Sequence, residues 1–240
     1  MDMVDEFYIS KMEYFNNDGT KMDWRKWLAL GQSLSLDKRR VFMWIWPTEI
    51  ELQKFGLILK SNQIKHILSV GCGNGLFEWI MQQSLGISVY GVEVDRSWWE
   101  SKYAIKNFIK LNYIDDLNSK DQGYLKKCCT LQTWDFTLMF CYFNNRTAFN
   151  NYLQMYKGGS LMIIGPRAEM GIVTDPFPLE PQFPEQQKWS LNTTLNIGKV
   201  DVIALYSRIE QEIFAAEGHN FYVVVVILLC KLCTKRFCTD

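Results

Sequence analysis

The chain has 240 residues, of which 48% are hydrophobic, and this is enough for one α/β domain with a modest extension. Lys+Arg and Asp+Glu both number 26, so the formal net charge is zero. Binding to bulk nucleic acid normally requires an excess of basic residues, and this balance therefore does not suggest it. The first ten residues are acidic where a signal peptide would be basic, and the longest apolar run, Phe221–Cys230, is about half a bilayer-spanning helix. Seven cysteines without a regular framework favour a reducing compartment. We therefore expect a cytoplasmic protein without a membrane span, with a nuclear location left open.

Residues 1–63 are rich in large aromatic side chains and predict a helical extension. Trp24 and Trp27 fall on one helical stripe, and Thr48 and Glu51 have the spacing of a capping box that begins a further helix. Two roles fit this segment. Its helices can pack on the edge of the domain with their aromatics in the core, or they can fold over a ligand and line its pocket.

Residues 64–80 (IKHILSVGCGNGLFEWI) predict a strand, a tight turn and a helix in succession. Residues 67–70 favour a strand, residues 71–75 have glycine at every second position, and residues 76–80 return at helical spacing. Glycine permits positive φ and a close approach of the backbone to a ligand, while the helix that follows directs its free N–H groups at the same point. The segment therefore predicts a cradle for a polar small molecule.

A second strand, Ile87–Asp95 (ISVYGVEVD), places Glu93 at its tip, where a carboxylate can accept both hydroxyls of a ribose. Together, LSVGCGNG and VYGVEVD resemble the class I S-adenosylmethionine-dependent methyltransferases, whose G-x-G-x-G turn is matched by Gly71, Gly73 and Gly75. The resemblance implies an α/β, Rossmann-like sheet of seven strands, mostly parallel with the last strand antiparallel, and helices on both faces. It also implies S-adenosylmethionine as cofactor and S-adenosylhomocysteine as product.

On this resemblance, the cofactor contacts come from the glycine turn and from the ends of the second and third strands. The candidate cofactor-binding residues are Ser69, Gly71, Cys72, Gly73, Gly75, Glu93, Val94, Asp115 and Asp116. A further strand is predicted at Phe108–Ile114, and the carboxylate of Asp115 or Asp116 after it would accept a hydrogen bond from the adenine amino group. The alternative is that these two residues form a solvated turn. Ser69 departs from the family pattern, because the family usually has Asp or Glu there to orient the methionine end of the cofactor.

The next predicted elements are a strand at Trp134–Phe143, a helix at Arg146–Tyr156 and a strand at Ser160–Ile164. The glycine pair before the last of these, in KGGSLMII, is suited to the end of a helix and resembles the family's entry into its fifth strand. The candidate acceptor-facing residues are Tyr142, Asn144 and Asn145. The alternative for these three residues is that they finish a strand and cap the next helix.

Residues 165–197 hold five of the six prolines, which excludes a central strand and predicts a lid or acceptor-site loop, with a plain surface excursion as the alternative. Two strands then follow, at Asp201–Ile209 and at Phe221–Leu232. The uninterrupted apolar run in the second is expected where both faces of a strand are covered. The resemblance places it antiparallel between the fifth and sixth strands. Residues 64–240 thus form the predicted methyltransferase domain.

The chain offers little to identify a catalytic residue. His66 and His219 are interpreted as surface or structural residues, and Cys230, Cys233 and Cys238 do not have zinc-site spacing, so no metal is predicted. The predicted function is in-line methyl transfer to a small molecule or a single protein side chain. The alternative is a catalytically silent methyltransferase fold that binds S-adenosylmethionine as a sensor or serves as a partner-binding subunit.

Overall fold

The computed structural model describes residues 23–114, 123–167 and 174–209. Its helices are α1 (Trp24–Ser33), α2 (Leu36–Phe42), α3 (Glu49–Ser61), α4 (Leu76–Leu85), α5 (Arg96–Trp99), α6 (Tyr124–Cys129) and α7 (Arg146–Met155). Its strands are β1 (His66–Val70), β2 (Ser88–Glu93), β3 (Leu111–Tyr113), β4 (Thr137–Cys141), β5 (Ser160–Pro166), β6 (Trp189–Ile197) and β7 (Asp201–Arg208). None of the helices in these ranges is both long and apolar enough to cross a membrane.

The strands form one sheet in the order β3-β2-β1-β4-β5-β7-β6. Strands β1 to β5 run parallel to one another, whereas β7 is antiparallel to both β5 and β6 and lies between them. This is the seven-stranded mixed sheet that the resemblance implies, so that expectation of the fold is confirmed.

Side chains of adjacent strand residues enter two separate cores. Ile67 packs with α1 to α4 on one face of the sheet, and Leu68 packs with α6 and α7 on the other. The first core contains Trp27 and Phe42, both nearly fully buried, and the second contains Phe149 and Tyr152 of α7. The prediction of helices on both faces follows from this alternation and is confirmed.

The end of the sheet differs from the sequence prediction in two respects. Trp189–Ile197 was assigned to the proline-rich segment but forms β6, because the last proline is Pro184 and the following Trp, Thr and Leu residues favour an edge strand. The inserted antiparallel strand is Asp201–Arg208, whereas Phe221–Leu232 was predicted there. That position between β5 and β6 is thus filled by β7, and Phe221–Leu232 lies outside the described residues.

The described part of the N-terminal segment fits its local signals closely. Thr48 and Glu51 form the predicted capping box, in which each residue's side chain accepts a hydrogen bond from the other's backbone N–H. Asp23 caps α1 through a bond from the N–H of Arg25. The short helix α5 is capped by Asp95, whose side chain accepts a hydrogen bond from the N–H of Trp98.

Candidate active site

The glycine turn joins β1 to α4 at the carboxyl end of the parallel strands. Gly71, Gly73 and Gly75 all have left-handed backbone angles, with φ of 70°, 61° and 73°. A side chain at Gly75 would also place its Cβ 2.4 Å from Ile109 Cγ1, so this position has no space for one. The turn therefore has the positive φ angles that its alternating glycines predicted.

Glu93 lies at the tip of β2 and faces this turn. Its Oε1 accepts a hydrogen bond of 2.5 Å from the N–H of Gly73, and its Oε2 accepts one of 3.3 Å from the N–H of Val94. Burial raises the pKa of the Glu93 carboxyl, while the bond from Gly73 partly opposes the rise. A carboxylate has about four acceptor positions, so Glu93 retains the capacity to accept hydroxyl donors of a ligand.

Glu78, in the first turn of α4, is a buried acid that the sequence analysis did not select. Its side chain reaches back to β1, where Ser69 Oγ donates a hydrogen bond of 2.7 Å to Glu78 Oε1. Ser69 is fully buried and Glu78 is 2% exposed. Burial raises the pKa of Glu78 to about 7, and the bond from Ser69 acts in the opposite direction.

Two neighbouring cavities share Gly71 and Glu93. The first, of about 270 Å³, is lined by the glycine turn, Glu78, Glu93, the segment 40–45 and Tyr142. The second, of about 240 Å³, is lined by the ends of β1 and β2, Val94, Asn144 and Asn145. Both therefore lie at the carboxyl ends of the parallel strands, the edge where open α/β sheets bind their ligands.

No family model matches the chain, and no curated protein sequence matches it. Solved structures similar to it include the O-methyltransferase TomG from Streptomyces achromogenes in complex with SAM, at 14% identity over 88% of this chain and 100% of that one, with a TM-score of 0.47. An O-methyltransferase from Bacillus cereus in complex with SAH is similar at 13% identity over 85% and 100%, with a TM-score of 0.45. The 16S rRNA methylase ArmA is similar at 14% identity over 78% and 99%, with a TM-score of 0.41.

The fold is decided by the chain's own topology. The five parallel strands are followed by an antiparallel β7 inserted between β5 and β6, and a three-glycine turn follows β1. The chain has the class I methyltransferase fold. This fold does not by itself select an acceptor, because one fold can host many different chemistries.

Not every predicted cofactor residue of this methyltransferase fold lines a cavity. Gly71, Cys72, Gly73 and Glu93 line the first cavity, and Val94 lines the second. Ser69 and Gly75 line neither of them: Ser69 lies behind Glu78, and Gly75 is the N-terminal cap residue of α4. Asp115 and Asp116 lie outside the described residues, as do His219, Cys230, Cys233 and Cys238.

Tyr142 contributes to the wall of the first cavity. Its φ of 52° is rare for a bulky residue, and its ring stacks on Trp44 with centroids 5.2 Å apart. The Tyr142 hydroxyl donates a hydrogen bond to Asp201, and burial together with this carboxylate raises the pKa of the tyrosine. Tyr142 is therefore held in a strained, fixed position beside the glycine turn.

Asn144 and Asn145 line the second cavity only. Asn145 Oδ1 accepts a hydrogen bond of 2.9 Å from the N–H of Ala148 and so caps α7, as the alternative interpretation of this residue proposed. The backbone of Asn144 forms an isolated β-bridge with that of Asp175. The Asp175 side chain also forms an ion pair with Arg146. Their contacts thus connect the end of β4 to the proline-rich segment.

The described part of the proline-rich segment is attached to the sheet. Tyr206 Oη donates a 2.6 Å hydrogen bond to the carbonyl of Pro178, and Arg146 donates one of 2.6 Å to that of Pro181. No described residue of 174–188 lines either cavity. Residues 168–173 lie outside the described part, and the assignment of a lid or acceptor loop stays a prediction.

The thiols beside the turn are held in their protonated form, which is not the nucleophilic form of cysteine. Burial, followed by the neighbouring Glu78, raises the pKa of Cys72 and of Cys141 well above the usual value, so both are held neutral. In the described ranges there is no group of three or more His, Cys, Asp or Glu side chains suited to a metal ion. His66 begins β1, at the end of the sheet away from the site.

Several residues that line the first cavity were not predicted from the sequence, including the following three contributors. The segment 40–45 lines it, although only a general pocket-lining role was considered for the N-terminal region. Trp99 also lines it, at the end of the short helix α5. Glu78 is the third, and it had a visible signal: it is the one charged residue in the apolar run LFEWIM.

Proposed function

We propose that the chain is an S-adenosylmethionine-dependent methyltransferase that acts on a small molecule or a single protein side chain by in-line methyl transfer. The observation that carries this proposal is the contact between the glycine turn and Glu93. The N–H of Gly73 is bonded to the Glu93 carboxylate, and both residues line a cavity at the carboxyl ends of β1 and β2.

The residues of the site fit this cofactor. The left-handed Gly73 leaves its Cβ position without a close neighbour, since the nearest side-chain atom is 3.7 Å away on Trp99, so a ligand can approach the backbone. Glu93 has acceptor positions for ribose hydroxyls, and the N-terminus of α4 favours polar groups that carry negative charge. When bound, the cofactor supplies a methyl group on a sulfonium that is already an activated leaving group.

The chain's task is then alignment and exclusion of water. Tyr142 is fixed by its stack on Trp44 and by its bond to Asp201, and it presents a rigid aromatic wall to the cavity. Arg40 lines the same cavity and lies over the Trp44 ring at 5.3 Å. In this proposal the wall borders the place where a small acceptor or one side chain would approach the bound cofactor. The zero net charge also disfavours bulk nucleic acid.

Calorimetric titration with S-adenosylmethionine and S-adenosylhomocysteine tests the donor site. We expect both to bind, and we expect Glu93→Ala to weaken binding by about 1 to 3 kcal/mol because a buried, charge-assisted hydrogen bond is lost. Glu100→Ala is the matched control, since Glu100 lines neither cavity and forms an exposed ion pair with Arg96. Absence of binding to the unaltered protein at millimolar cofactor would contradict the proposal.

Transfer of a labelled methyl group into fractionated cell extract tests the reaction itself. We expect label in a small-molecule or protein fraction, and its loss in Glu93→Ala. Cofactor binding without transfer to any fraction would favour the silent sensor or partner-binding subunit. Label confined to nucleic acid would overturn the proposed acceptor class while leaving the donor site intact.

A further inference from the structure

The Glu78 carboxylate has an environment that ordinary packing does not explain. It is 2% exposed, lines the first cavity, and receives a hydrogen bond of 2.7 Å from the neutral hydroxyl of Ser69. Within residues 23–114, 123–167 and 174–209, no lysine, arginine or histidine forms an ion pair with it. The nearby acid Glu93 and the neutral thiols Cys72 and Cys141 provide no positive charge.

A buried carboxylate without a cationic partner is costly, because burial removes water from the charge and a hydroxyl replaces only part of that solvation. An isolated structural role at this position would be served at lower cost by Gln or by an apolar residue. The cavity that Glu78 lines is the one formed by the glycine turn, so a ligand held by that turn can place a cation beside the carboxylate. The expected ligand group is a hydrogen-bond donor with positive charge.

We propose that Glu78 binds the ammonium group at the methionine end of the cofactor, and that Ser69 positions its carboxylate for this contact. The proposal rests on the proposed function, since it assigns one end of that cofactor. Glu93 lies at β2 and Glu78 lies at the base of α4, so the two acids occupy separate walls of one cavity. Glu93 thereby takes the ribose, and the amino-acid end lies toward β1 and α4.

The ammonium is a better match for Glu78 than the sulfonium is. An ammonium donates up to three hydrogen bonds to a carboxylate, whereas a sulfonium has no N–H or O–H to donate. The two cations are also separable by ligand choice. S-adenosylhomocysteine keeps the ammonium and lacks the sulfonium charge, and 5′-methylthioadenosine lacks both while it keeps the adenine and ribose.

The test is the affinity of Glu78→Gln for these two ligands, measured by calorimetry on the full chain. Gln has nearly the same shape and can keep a hydrogen bond with Ser69, so the variant is expected to fold. We expect its affinity for S-adenosylhomocysteine to fall about tenfold to a hundredfold, since a charge-assisted bond is lost, and its affinity for 5′-methylthioadenosine to stay within about twofold. Glu93→Gln is the comparison variant, and it should weaken both ligands because both contain the ribose.

If Glu78→Gln lowers the affinity for both ligands equally, the inference is overturned and Glu78 has a structural role. Unchanged affinity for both ligands would also overturn the inference. Failure of the unaltered protein to bind either ligand would instead overturn the proposed function. The two failures are therefore distinguishable. If the variant does not fold, the pH dependence of the unaltered protein decides the inference.

In that measurement, Glu78 is neutral below about pH 7 and cannot form an ion pair with the ammonium of the ligand, which stays protonated over the range compared. The ratio of the two Kd values, S-adenosylhomocysteine over 5′-methylthioadenosine, should rise about tenfold from pH 7.5 to pH 6. The other charged or titratable groups that face this cavity are Glu93, which affects both ligands, Arg40, and the neutral Cys72, Cys141 and Tyr142. A constant ratio would overturn the inference.

Discussion

The position of an acidic group in space matters more for this site than its position in the sequence. Ser69 occupies the place where the resembled family has Asp or Glu, yet a carboxylate oxygen of Glu78 lies 2.7 Å from its hydroxyl. The two residues are nine positions apart but meet because the short glycine turn brings the first turn of α4 back to the end of β1. The carboxyl charge is thus present at this corner of the site, on the helix instead of the strand.

Moving the carboxylate back to the strand should restore ligand binding. Glu78→Ala alone is expected to weaken S-adenosylhomocysteine binding about tenfold or more, because the charge is lost. The double variant Ser69→Asp with Glu78→Ala places a carboxylate across the former hydrogen bond and should recover most of that affinity. The matched control is Ser69→Asn with Glu78→Ala, which has the same shape without the charge. Equal Kd values for the two double variants in calorimetry would contradict the prediction.

Sequence spacing predicted Glu93 but not Glu78, for a physical reason. Glu93 ends a strand whose direction and neighbours are fixed by the parallel sheet, so its place at the carboxyl edge follows from the pattern. The contact of Glu78 with Ser69 depends on how far α4 is rotated about its axis after the left-handed Gly75, which the sequence pattern does not specify. Tyr142 was expected at the site, but its left-handed backbone and its hydrogen bond to Asp201 could not be predicted from the sequence, because both depend on the tertiary structure.

At the scale of elements, Glu51 connects two parts of the fold. Its Oε2 accepts the N–H of Thr48 at 2.7 Å to close the capping box of α3, and its Oε1 accepts the N–H of Gly198 in the β6–β7 turn at 2.7 Å. Burial raises the pKa of Glu51, but the backbone bonds from Thr48 and Gly198 outweigh it, so the net pKa is lowered. This carboxylate therefore stabilises the fold when it is ionised.

Glu51→Ala should lower the free energy of unfolding by about 1 to 2 kcal/mol at pH 7, since a cap and a turn contact are lost together. Because the folded-state pKa is depressed, this stabilisation is present above the unfolded pKa of about 4.3 and disappears as pH falls through the folded value. Glu49→Ala, in the same helical turn with only an exposed ion pair to Arg25, should cost about 0.5 kcal/mol or less. Urea titrations at pH 7 and pH 3 measure both variants, and a loss of stability in Glu51→Ala that persists undiminished at pH 3 would contradict the electrostatic origin.

The elements that the sequence predicts most accurately are those that local signals define, and α3 with its capping box is the best example. The last strands were harder, because Phe221–Leu232 and Asp201–Arg208 both have a composition suited to a buried strand. Local pattern does not decide which of them is inserted into the sheet, since this depends on pairing with β5 and β6, which are distant in sequence. The edge strand β6 was missed because prolines close before it dominated the interpretation of the whole segment.

On the scale of the whole molecule, the first cavity joins elements that are far apart in the chain. Segment 40–45 spans the end of α2 and the start of the α2–α3 connection, the glycine turn follows β1, Glu93 ends β2, and Tyr142 follows β4. A ligand that contacts all four would bind the folded state and not the unfolded chain, so its binding free energy adds to the stability of the entire fold. Ligand affinity and thermal unfolding are therefore two measures of the same site.

At an S-adenosylhomocysteine concentration of 100 times Kd, the stabilisation should be about 2.7 kcal/mol, which raises Tm by about 5 to 10 °C for a domain of this size. At the same concentration, a Glu78→Gln variant with thirtyfold weaker binding should gain only about 0.9 kcal/mol, or about 2 to 3 °C. With 5′-methylthioadenosine the Tm shifts of the two proteins should agree, because Glu78 is expected to contact only the amino-acid end. Differential scanning calorimetry measures all four shifts. If the Tm of the two proteins differs by the same amount with and without either ligand, Glu78 contributes to folding and not to binding.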